Sequence, residues 1–125
     1  MRARTKIIAT DFPFALPRLI CSHGEPAQRC YIAFFSATLG NTHTRRTYAR
    51  ATVEFFGWCS LQGVISLSEL RPLHVSEWIA QIGRGASASR VKQWLTGVCL
   101  LLDRLVIDQI IPINPATLYG HSHSG

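Results

Sequence analysis

Residues 41–59 read NTHTRRTYARATVEFFGWC, and most of the architecture can be worked outward from them. Tyr48, Ala51, Phe55, Cys59 and, just beyond, Gln62 recur at three- and four-residue intervals, the spacing that brings side chains onto one face of a helix. Arg45, Arg46, Ala49 and Arg50 fall off that stripe. The expected helix, 44–62, therefore buries one face and carries a basic face opposite, at its N-terminal end. Thr44 or Asn41 is the expected N-cap, because a short side-chain oxygen satisfies an open backbone N–H there. Gly63 supplies the stop.

The neighbouring segments keep the same period. Ile32, Phe35 and Leu39 define a helix over 26–39, with Pro26 in its first turn and Gly40 ending it. Residues 66–70 read as a connecting turn. Pro72 opens a third helix carrying Val75, Trp78, Ile79 and Ile82, closed by Gly83 and Gly85. A fourth starts at Ser87 or Ser89 and runs to about residue 108, with Val91, Leu95, Val98, Leu102 and Leu105 inside; Pro112 and Pro115 prevent continuation. No segment alternates with period two, so the expected fold is all-α, a bundle of four helices. Residues 1–25, with Pro13, Pro17 and Gly24, read as a loosely structured N-terminal arm. The domain is expected over 26–116 and a flexible tail over 117–125.

Composition narrows the partners. Thirteen Lys+Arg face seven Asp+Glu in 125 residues, a net charge of +6, and only Lys6 and Lys92 among the cations are lysines. Arginine presents a planar fork to phosphate and to guanine edges, so the bias leans toward nucleic acid. No acidic residue occurs between Glu25 and Glu54, an interval holding Arg29, Arg45, Arg46 and Arg50. That predicts a local basic surface. Cys21, Cys30, Cys59 and Cys99 lack C-x-x-C spacing, and the last three lie in apolar helical patterns, as expected of a reduced, cytoplasmic protein. The longest uncharged run near the C-terminus, 93–102, is half the roughly 20 residues a membrane span needs. Asp11 and Pro13 break the apolar run that a secretory signal would require.

The order of these signals resembles the N-terminal core-binding domain, or SAM-like domain, of phage integrases and related tyrosine recombinases, over residues 29–116. Thr44, Tyr48, Phe55 and Trp58 match the pattern of that family's first long helix. Arg71, Pro72, Leu73, His74 and Val75 match its Pro-x-His/Asp-Val element. Ser87, Ala88, Ser89, Arg90, Val91, Lys92, Gln93, Leu95, Leu105 and Val106 match its final helix, and Asn114, Pro115 and Ala116 the Asn-Pro-Ala that follows. Arg90 stands where Thr is usual and Cys99 where Arg is common. Gly97 sits mid-helix in place of Ala, a change costing about 1 kcal/mol in propensity. After Ala116 the family continues through a basic linker into a catalytic domain, whereas this chain reads TLYGHSHSG, as a truncated frame, a remnant or an isolated domain would.

The resemblance implies a four-helix SAM-like orthogonal bundle that forms half of a clamp on double-stranded DNA in recombination and integration. It also implies contact with other recombinase subunits. The DNA-binding candidates it carries over are His43, Thr44, Arg45, Arg46 and Arg50 on the second helix and Ser87, Ser89, Arg90, Lys92 and Gln93 on the fourth. Physical chemistry supports the choice, since helix N-termini attract phosphate, Arg and Gln read base edges, and Ser or Thr fixes register. The plainer reading makes them a solvated helix face.

No enzymatic activity is expected of the chain alone, because the Arg, Lys, His-x-x-Arg and Tyr catalytic set is missing. His43 and Arg46 reproduce H-x-x-R spacing, but at the start of a helix without its partners. Tyr119 has no guanidinium and imidazole cluster to stabilise a phosphoryl transition state. His121 and His123, with Cys21 or His23, lack the placed geometry of a zinc site, so neither metal nor cofactor is expected. Tyr48, Trp58 and Trp78 read first as core, with Trp94 the least settled. The rival function is a protein interaction module, or a non-functional recombinase remnant. Its motive is that Phe34 and Phe35 exceed what one buried face of the first helix needs.

Overall fold

Tertiary structure is described for residues 16–38 and 42–116 in a computed structural model. Among these residues there are five α-helices and no strand: α1 Arg18–Ser22, α2 Glu25–Ala33, α3 Thr42–Leu61, α4 Pro72–Ile82 and α5 Ala88–Ile107. A π-helical turn, Phe34–Thr38, continues α2, and a 3-10 turn, Leu67–Glu69, precedes α4. The fold is an all-helical bundle. α3 packs principally along α5, α1 rests on α2 and α3, and α4 bridges α3 and α5.

The helix boundaries have local causes. Gly63, at φ +96°, closes α3 in a Schellman turn: the Val64 N–H donates to Cys59 O and the Gly63 N–H to Ser60 O, both at 3.1 Å. At the start of α4 the Arg71 N–H donates to Nδ1 of His74 at 3.0 Å, so the Pro-x-His sequence makes its own cap. Ser87, rather than Ser89, caps α5, its Oγ accepting the Arg90 N–H at 3.1 Å. Helix α3 begins at Thr42, which places Thr44 inside the first turn and not at the cap. The alternative cap, Asn41, and the expected end of the first helix at Leu39 and Gly40 lie outside the described residues, as do residues 1–15.

Three expectations need correction. Residues 18–22 are helical, and Leu19 and Ile20 are fully buried, so the packed body extends into the segment read as an arm and contains a fifth helix. Pro17 and Gly24 flank α1, as its N-cap and the N-cap of α2. Secondly, Phe34 and Phe35 are both buried. The wider i→i+5 turn rotates consecutive positions less sharply apart than an α-helix does, and the two rings meet edge to face at 4.8 Å between centroids. The surplus aromatic is therefore spent inside the core. Thirdly, Ala49 is buried and Gln62 exposed, so the inward face of α3 runs through Ala49, Thr52, Phe55, Phe56 and Cys59.

Thr52 is the one buried polar side chain among the described residues. Its hydroxyl donates to Ala49 O at 2.9 Å and lies 2.8 Å from the Tyr31 hydroxyl, which ties α2 to α3 without an open hydrogen-bonding group. At the far end Asn114 closes the chain onto α5. Its Nδ2 donates to Asp103 Oδ1 at 2.7 Å and to Cys99 O at 3.2 Å, while its Oδ1 accepts the Ala116 N–H at 2.7 Å. Ala116 is fully buried there.

Candidate nucleic-acid interface

The N-terminal half of α3 and the first turns of α5 form the walls of an open groove of about 930 Å³. Two sequence segments some forty residues apart thus converge on one surface. His43, Arg45, Arg46 and Arg50 line it from α3, and Arg90 and Gln93 from α5. The remaining candidates do not: Thr44, Ser87, Ser89 and Lys92 lie outside the lining, Ser87 being occupied as the cap of α5.

Several lining residues were absent from the expectations. Thr42 and Thr47 add hydroxyls, Ala49 and Val53 add apolar wall, and Glu54 and Trp94 also contribute. Glu54 is the groove's carboxylate and lies 3.9 Å from Arg50 Nε, one helical turn away, with both side chains well exposed. Such a pair is worth little in stability. Trp94 is half-buried because it rests on the core instead of entering it: its ring stacks on Trp78 at 6.2 Å and 13°. Trp78 in turn meets Phe55 at 5.1 Å, and the Arg90 guanidinium carbon lies 5.7 Å from the Trp94 ring centroid. A column of aromatic rings therefore runs from the core to a cation at the groove.

Electrostatically the groove has two sources of positive potential. The first turns of α3 and α5 contain no acidic residue, so neither helix dipole is neutralised at its positive end. Arg45, Arg46 and Arg90 stand on or just beyond these same turns, where a cation is locally unfavourable unless an anion joins it. Of the basic interval anticipated from the sequence, Arg45, Arg46 and Arg50 reach this concave surface, while Arg29 pairs with Glu25 on α2.

Among the described residues no cysteine is activated as a nucleophile. The four cysteines are free, and burial pushes the thiols of Cys30 and Cys59 up to about 12 and raises those of Cys21 and Cys99, the direction that suppresses thiolate. Tyr119, His121 and His123 lie outside the described residues. Among the described residues no helix is long and apolar enough to cross a membrane.

Fold and site together define an all-helical protein with a cationic groove between the N-terminal halves of two helices. No protein-family model, curated protein or solved structure matches the chain.

Proposed function

We propose that the chain is a DNA-gripping module of the tyrosine recombinase and integrase type, holding duplex DNA in the cytoplasm without cutting it. The observation that carries the reading is the convergence of four guanidinium groups on one groove together with the acid-free first turn of α3. A polyanion neutralises both at once. The groove is open rather than enclosed, as contact with a continuous backbone requires, and it holds the hydrogen-bonding side chains that fix register on phosphates. The sequence resemblance names the same two helices as the DNA-facing pair.

Fluorescence anisotropy of a labelled duplex, titrated with the full chain across a range of salt, tests the reading. Affinity should fall steeply with salt, and Arg45→Ala, Arg46→Ala and Arg50→Ala should each reduce the slope by about one when the charge engages a phosphate. Binding that is absent at low ionic strength, or indifferent to salt, would remove the proposal. A covalent adduct at Tyr119 with a nicked suicide duplex would contradict the non-catalytic half of it.

A further inference from the structure

We infer that the two walls of the groove divide the labour, with Arg90 reading a guanine edge in the major groove and the arginines of α3 holding phosphates. This rests on the duplex-binding reading and adds a specificity residue to it. The distinguishing feature of Arg90 is its support. Its guanidinium lies over Trp94, whose ring is stacked on Trp78, which is itself 1% exposed and braced by Phe55. A cation resting within about 6 Å of a ring face is attracted to it and keeps edge N–H donors for a ligand. Among the described residues no carboxylate forms an ion pair with Arg90, whereas Arg50 shares Glu54.

Resting a long side chain beside a rigid column removes part of the rotamer entropy that binding would otherwise cost. A phosphate, accessible from many directions, gains little from such fixation. A bidentate pair with guanine O6 and N7 depends on the fork's angle and gains directly. Gln93 stands one turn further along α5 and lines the same groove. Its amide offers the donor and acceptor that match adenine N6 and N7. Three residues of helix advance about 4.5 Å, close to the roughly 3.4 Å rise of a base pair, so Arg90 and Gln93 can address neighbouring pairs. Trp94 is then a positioning residue, acting through Arg90.

The experiment selects the full wild-type chain on a duplex library randomised at its centre, then measures anisotropy on a selected duplex and on single-base variants. The expected result is a preference for one G·C pair, weakened about 5- to 150-fold by substituting it. Replacing that guanine by 7-deazaguanine should weaken the wild type and leave Arg90→Ala indifferent. Arg90→Lys, which keeps the charge and loses the fork, should also lose the preference. Arg50→Ala should weaken all duplexes alike with the preference intact. Trp94→Leu should reduce the preference more than the affinity, and Trp94→Phe, which restores a ring face, should recover it. If the wild type binds duplexes without preference, or the preference survives in Arg90→Ala, the inference is overturned while duplex binding stands. If no duplex is bound at low salt, both fall together.

Discussion

Gly97 of α5 lies against Tyr48 of α3 so closely that a Cβ on the glycine would sit 2.7 Å from Tyr48 Cδ1, 2.8 Å from Cγ and 3.0 Å from Cβ. The missing side chain is what lets the two longest helices approach. Propensity alone makes Gly97→Ala favourable by about 1 kcal/mol. The clash involves the root of the tyrosine, which cannot swing away without moving the α3 backbone, and overpacking of this kind costs about 1–3 kcal/mol. The steric effect should win. Urea denaturation of Gly97→Ala should show a net loss of about 1 kcal/mol, and a gain in midpoint would mean that the helices can separate freely.

Gln109 offers the opposite case. It is the only non-glycine residue at positive φ among those described, at 63°, and it occupies the turn that ends α5: the Ile110 N–H donates to Leu105 O at 2.8 Å and the Gln109 N–H to Val106 O at 2.9 Å. This is the C′ position where glycine is preferred, because a Cβ is strained in the left-handed region. Gln109→Gly should therefore stabilise the fold by about 0.5–1 kcal/mol, read as a rise in melting temperature. An unchanged or lower value would show that the exposed glutamine makes an offsetting contact.

These two residues also mark how far the sequence could be read. The end of α3 and the starts of α4 and α5 were legible because long amphipathic runs carried Gly63, Pro72 and Ser87 there. α1 was not, since five residues are too few to display a period, and Pro17 and Gly24 have the same composition whether they break a helix or flank one. The inward turn of Phe34 was hidden because helical spacing assumes 3.6 residues per turn and the π-turn does not keep it. At the site, Arg45 could be named from charge and register, and Arg90 only through the family resemblance. That they share a groove is a tertiary fact, as are the entry of Glu54 and the support of Arg90 by Trp94. Gly97 looked like a local weakness in α5 because Tyr48 is forty-nine positions away in sequence.

Alkaline pH should unfold the protein early. Burial raises the Cys30 and Cys59 thiols from 9.0 to about 12, aided at Cys30 by the neighbouring Asp108, and raises the Tyr31 phenol from 10.0 to about 12. Each native group keeps its proton when the unfolded chain has released it. Their contribution is thus fully present below about pH 9 and is lost as pH climbs toward 12. Melting temperature should fall across that window, with Tyr31→Phe flattening the part above pH 10. At neutral pH a thiol reagent should label Cys21, which is exposed, and reach Cys30, Cys59 and Cys99 only on unfolding. Rapid labelling of all four in the native state would contradict the packing.

Asn114 is tested by the order of two substitutions. Its amide donates to Asp103 and Cys99 while its carbonyl accepts from Ala116, so both ends of the group are used. Asn114→Ala should cost about 1–3 kcal/mol by leaving partners open in a partly buried place. Asn114→Asp keeps the acceptor but sets a second carboxylate beside Asp103, and like charges at that range repel. At pH 7 the aspartate variant should be the less stable of the two by chemical denaturation. The reverse order would mean that the Ala116 bond, retained by aspartate, matters more than the contact with Asp103.

Glu54 stands where a polyanion is proposed to lie, and its effect on binding is separable from its effect on folding. The side chain is half exposed and its distance to Arg50 is long, so Glu54→Gln should change stability by less than about 0.5 kcal/mol. Binding should respond more. Removing the carboxylate relieves repulsion of phosphate and releases Arg50 from a competitor worth about 0.2–1 kcal/mol, which predicts up to about a fivefold gain in duplex affinity at low salt. The gain should shrink as salt screens the groove. It should also be smaller in an Arg50→Ala background, because only the repulsive part is left to remove. Equal affinities for wild type and Glu54→Gln at low salt would place the DNA elsewhere on the surface.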